Sequence, residues 1–172
     1  MDKKSAATSA KRIKSTGGQS PRAKRLAQFA ERANAAPALE SAAITELIRM
    51  GWNPAITRWL LVPHPPTAVG LNGSGNIIWA RRKWWPLIES ATTSQLIRRS
   101  INPQDTRPQE YHVAWYYKIG VEPDDDNIWG RLKHVRDTIA AHFGMDDRHL
   151  HTGRCRCYKN KELAGYCIII LA

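Results

Sequence analysis

Five acids bracket one stretch of this chain. "PDDDNIWGRLKHVRDTIAAHFGMDD" runs from Pro123 to Asp147, opening on Asp124, Asp125 and Asp126 and closing on Asp146 and Asp147. The chain as a whole carries a formal charge of +11. One Asp at a helix start satisfies free backbone N–H groups and suits the helix dipole. Three in a row repel one another, and a cap uses only one. Clustered carboxylates on a basic protein have a recurrent use. Two or three Asp hold Mg²⁺, which offsets phosphate charge and activates water, while the basic surface holds nucleic acid. A calcium loop competes, because Asp124-x-Asp126 begins like an EF-hand. It fails at Ile128, at Trp129 where Gly is needed, and at Val135 where Glu is needed.

A helix must position these acids. Ile128, Leu132, Val135, Ile139 and Phe143 recur at helical spacing and make one apolar stripe facing a sheet. Asp126, Gly130, Lys133 and Asp137 share the opposite face, and Gly144 is a natural terminator. A straight helix from 127 to 143 is about 25 Å long at roughly 1.5 Å per residue. That separates the two acidic groups too far for one metal site within one chain. Either the helix is shorter or bent, or a second subunit supplies one group.

A chain of 172 residues with 42% hydrophobic residues is one domain of ordinary size with a real core. Its pI near 10 implies a polyanionic partner. No run reaches transmembrane length and no apolar leader is present, which argues against a membrane protein. Three late Cys argue for a reducing, intracellular setting over a disulfide framework. Residues 1–36 hold nine Lys and Arg against Asp2 and Glu31, leaving +7 of the +11. They read as a basic flexible arm, disordered over the first twenty residues, with a short helix over 22–35. Such an arm is either a solvated tail or a source of non-specific phosphate affinity.

Residues 37–55 read as a helical extension and 56–172 as the main domain. "ITRWLLVPHPP" reads as a strand stopped by prolines. "TAVGLNGSGN" is a loop without the Gly-Lys-Ser/Thr ending of a P-loop. "IWARRKWWPLIESATTSQLIRRSI" is a helix whose first turn Pro86 puts in question, and "QEYHVAWYYKIGV" a central strand. "HLHTGRCRCYKN" and "ELAGYCIIIL" read as a hairpin around Lys159–Lys161. Strand, helix, strand, helix, strand, strand gives an α+β fold with one mixed sheet.

The "DDDN" start, the helix "LKHVRDTIAAHFGMDD" and the earlier "LVPHPPTAVGLN" together resemble the RusA family of Holliday-junction resolvases, over about residues 56–172. That family shows Asp-x-Asp-Asn at a helix start, a Lys and an Asp on the helix, an acidic pair after it, and a proline-ended strand before an Asn-containing basic loop. The proline motif matches at Pro63, Pro65 and Pro66, with Asn72 following. The resemblance implies that Asp124, Asp126 and Asp147 are catalytic and bind Mg²⁺, with Mn²⁺ as a substitute, and that Asn127 and Asp146 support them. The family Lys falls on Gly130 here. Lys133, four before Asp137 as in the family, takes its place as the charge stabiliser. The resemblance implies a homodimer that cuts both strands of a four-way DNA junction in recombination and repair, in the cytoplasm of a bacterial or phage-infected cell. The alternative is a non-catalytic DNA-binding protein on the same fold, which the displaced Lys favours.

Other residues extend this picture. Arg81, Arg82 and Lys83 alternate with Trp79, Trp84 and Trp85; the basic residues read as phosphate contacts and the Trp as core. Arg98 and Arg99 add charge to the same helix. Arg154 and Arg156 share one strand face and read as further DNA contacts or a solvated edge. His149, His151, Cys155 and Cys157 match no common zinc spacing and read as alternating strand residues.

Overall fold

The computed structural model describes residues 20–70, 77–120 and 122–172. Residues 1–19 of the expected arm, and Asn72, lie outside them. The helices are α1 (Pro21–Ala35), α2 (Glu40–Arg49), α3 (Ile77–Arg98) and α4 (Asp125–His142). The strands are β1 (Arg58–Pro63), β2 (Glu110–Tyr117), β3 (His151–Lys159) and β4 (Tyr166–Leu171). The fold is α+β with one mixed four-stranded sheet, as the sequence pattern implies. Among the described residues no helix is long and apolar enough to cross a membrane.

The sheet order is β1-β4-β2-β3. β4 pairs antiparallel with both β1 and β2, while β2 and β3 run parallel with α4 as their crossover. The expected β3–β4 hairpin therefore does not exist. Burial explains the correction. All six residues of β4 are buried, so both its faces need cover and it takes an interior position. β3 is exposed at alternate residues and sits at the edge. Its bulge against β2 is built on Gly153, where a Cβ would collide with His112 and Glu110.

One face of the sheet carries Val62, Val113, Trp115, Cys167, Ile169 and Leu171. The α4 stripe Ile128, Leu132, Val135, Ile139 and Phe143 closes on it, together with Ile88 and Leu96 of α3. Pro86 does not interrupt α3, which runs through it with the proline on the exposed side. The other face carries Trp59, Leu61, Ala114, Ile168 and Ile170, covered by Ala43 and Leu47 of α2.

The expected helix over 22–35 is α1, but it is no free arm. Ser20 caps it, its Oγ accepting from the N–H of Ala23 at 3.2 Å. Phe29 is buried edge-on to Trp84, 5.8 Å between ring centroids. The Tyr166 hydroxyl donates to the Arg32 carbonyl at 2.9 Å. Residues 20–36 thus belong to the folded body, and neither 36 nor 55 divides it. Replacing Phe29 by Ala should cost about 3–5 kcal/mol of stability, read as a lowered urea midpoint. A midpoint unchanged from wild type would return α1 to the status of a tail.

Candidate functional site

Two acidic groups flank α4, and the chain treats them differently. Asp124 is the N-cap residue, yet its side chain makes no capping bond. Asp124, Asp125 and Asp126 are all exposed, and none of them forms an ion pair among the described residues. The Asn127 amide points back toward Asp124, with 3.4 Å between Nδ2 and Oδ2. Asp125 leans toward Cys155, whose thiol burial holds well above its usual pKa.

The second group is neutralised. Gly144, with φ +58°, ends the helix and reverses the chain. The N–H of Met145 reaches back to the Ala140 carbonyl at 3.0 Å. Asp146 then caps a short 3₁₀ turn and pairs with Arg148 at 2.7 Å. Asp147 swings beside the body of α4, where it pairs with Arg136 and lies 3.6 Å from the Lys133 ammonium. Lys133 itself donates to both oxygens of Asp137 at 3.0 Å.

α4 runs unbroken over 18 residues, so the helix is not short enough to join the groups. The chain reversal instead returns Asp147 to the level of Lys133. That still leaves seven residues, about 10 Å of helix, between Lys133 and Asp126. Among the described residues no three His, Cys, Asp or Glu side chains stand where they could share a metal ion. Within one chain Asp124, Asp126 and Asp147 are therefore not brought together, whereas Lys133 and Asp147 do meet. Sequence reasoning placed Asp137 beside Lys133 but missed Arg136 as the partner of Asp147. The signal for Arg136 was its place in the last turns of a helix that Gly144 ends by turning the chain back.

Beside the head of α4 a depression is lined by Thr67, Gly70, Pro123, Asn127 and Arg131. Gly70 is tight here, since a Cβ would stand 3.0 Å from the Arg131 side chain. The residues after the proline-ended strand thus meet the start of α4.

The basic residues divide by role. Arg98 and Arg99 both pair with Glu40 of α2, and the Arg99 guanidinium lies 3.1 Å from the Trp59 ring centroid. They fasten α3 to α2. Arg82 is exposed, Arg81 lies over Trp85, and Lys83 lies near the part-exposed Trp79. Trp84 is buried and Trp85 stacks on His134 at 4.7 Å, so both belong to the core. Arg154 and Arg156 are exposed on one face of β3. They line a groove with Trp52, His112 and Tyr158. Cys155 and Cys157 take the other face, toward α4.

The chain matches no family model, no curated protein and no solved structure.

The Asp147 pairing has a pH signature. Arg136 first, and Lys133 after it, hold this carboxyl below the usual carboxylate range. A lowered carboxylate pKa adds stability above the unfolded value of about 4, and the gain is lost as pH falls through the folded value. The melting temperature of Asp147→Asn should therefore lie below wild type at neutral pH, with the gap closing below about pH 4. A gap that stays constant down to the acid limit would show that the pair adds nothing.

Proposed function

We propose that this protein is a metal-dependent endonuclease of the RusA type, acting on branched DNA. The observation that carries the reading is the unneutralised acidic triplet at the head of α4, in a chain of charge +11. Exposed carboxylates left without basic partners on so basic a protein are suited to a cation, and a cation there suits a polyanionic substrate. The order of elements around the triplet, from proline-ended strand to acidic pair, supports the same family.

Mg²⁺ is commonly held by one or two carboxylates, with waters and substrate phosphate completing its shell. Asp124 and Asp126, in one turn, fit that mode, while Asp147 does not join them. When bound, the ion would supply charge neutralisation at the scissile phosphate and an activated water. Asn127, beside Asp124, would orient that carboxylate. Lys133 and Arg136 would meet substrate only by loosening from Asp137 and Asp147. Arg81, Arg82, Lys83, Arg154 and Arg156 would hold phosphates along the duplex arms. Paired cuts at a four-way junction call for two copies of the chain, related by a two-fold axis.

A second reading is a DNA-binding protein that does not cut. It is favoured by the mutual neutralisation of Lys133, Arg136, Asp137 and Asp147. Incubation of a synthetic four-way junction with the protein and Mg²⁺, beside a linear duplex, separates the two. Nicking is expected for wild type. Asp126→Asn and Asp124→Asn should lower it at least a hundredfold while junction affinity holds or rises, because a negative charge near phosphate has gone. Tight binding without nicking, in Mg²⁺ or Mn²⁺, would leave the second reading standing.

A further inference from the structure

A cavity of about 410 Å³ opens between α1, α4 and the turn after β1. Its floor is Phe29 and Trp84, and Arg25, Arg32 and Arg131 surround it, with Gln28 beside them. Among the described residues no carboxylate lines it. Arg25 and Arg32 are seven residues apart, so they share one face of α1 about 10 Å apart along its axis. Arg131 comes from α4. Its Nε donates to the Pro65 carbonyl at 2.6 Å, and its guanidinium carbon lies 4.6 Å from the Trp115 ring centroid.

None of the three has an ion-pair partner among the described residues. Exposed arginines such as Arg82 and Arg154 also lack one, so what sets this cluster apart is the burial of Arg131 and the convergence of three guanidinium groups on one cavity. Arg131 is also half-buried. Burial pushes its pKa down to about 10, which leaves it charged at neutral pH. A desolvated cation without a counter-ion, facing two more cations across a space wide enough for a ligand, is unfavourable until an anion enters. His64 is not that anion's partner. Its ring lies flat on Trp115 at 3.5 Å, its Nε2 donates to the Tyr166 carbonyl, and burial holds its pKa well below the usual value, so it forms a neutral wall.

We infer that this cavity is a phosphodiester-binding cleft that seats the nucleic-acid backbone, with Arg25, Arg32 and Arg131 as its ligands. The inference rests on the reading that the partner is nucleic acid, and it adds a defined seat for the backbone. Guanidinium suits this task because its fork of donors matches phosphate oxygens. Arg131 also borders the depression beside Asn127, so a strand seated in the cleft would lead toward the acidic triplet. α1 would then be part of the binding surface, contributing positioned side chains besides charge.

The test uses the full chain and a short labelled duplex. Arg25→Gln with Arg32→Gln removes two ligands whose side chains are exposed and lie outside the core. Lys159→Gln with Lys161→Gln removes equal charge at the far end of β3 as a control. Wild type should bind, and the arginine variant should lose about tenfold in affinity, with the salt slope reduced by up to about two. The lysine control should change both much less. In wild type, bound duplex should protect Arg25 and Arg32 from phenylglyoxal, read by mass spectrometry. This arm needs no variant to fold. An arginine variant that matches either wild type or the lysine control, or arginines equally modified with and without duplex, would overturn the cleft while leaving DNA binding intact. A wild-type chain that binds anionic vesicles but no duplex would overturn the nucleic-acid reading as well.

Discussion

The sheet depends on one strand that has no surface of its own. β4 is buried along its whole length, pairs with β1 on one side and β2 on the other, and presents Cys167, Ile169 and Leu171 to one layer and Ile168 and Ile170 to another. A strand of that kind needs helices on both faces. The need recruits α1, α3 and α4 to one side and α2 to the other. It also fixes where α4 can lie. Because α4 must cover β2 and β4 with its apolar stripe, its polar face, with Asp126, Lys133 and Asp137, turns outward. The candidate chemistry is exposed because the core claims the opposite side of the same helix.

Much of this arrangement was legible in the sequence. The 3.6-residue period of Ile128 to Phe143 located α4 and its orientation, and "EYHVAWYY" announced an interior strand. The hairpin between β3 and β4 was misread for a definable reason. Adjacency in the chain suggests pairing, but a fully apolar strand belongs inside the sheet, and a strand with alternating exposed residues belongs at its edge. The same test applied to "YCIIIL" alone would have moved it to the centre.

The candidate site was legible only in part. Residue types revealed the acids at both ends of α4, but not their partners. Ion pairing depends on how the chain leaves Gly144, and that turn brings Asp147 against Arg136 and Lys133 rather than toward Asp126. Arg98 and Arg99 likewise gave no sign of their partner: Glu40, from a helix nearly sixty residues earlier, pairs with both. The basic cluster of Arg25, Arg32 and Arg131 had no signature at all, because its members meet only once α1 docks through Phe29.

The pairing of β1 with β4 joins Arg58 to Leu171, residues more than a hundred positions apart. An early strand must therefore wait for a late one. Until β4 arrives, Leu60, Leu61 and Val62 have no neighbour on that edge, and β2 lacks the strand that ties it to β1. Loop closure over such a span costs entropy before any contact repays it, so the pairing of β1 is the costliest contact of the sheet to close. Helices can form as they emerge during synthesis, but the order of assembly places tertiary structure at the end. Before residue 110 the described chain holds β1 alone, so that part has no sheet until β4 receives it, whereas β2, β3 and β4 pair among themselves within residues 110–171.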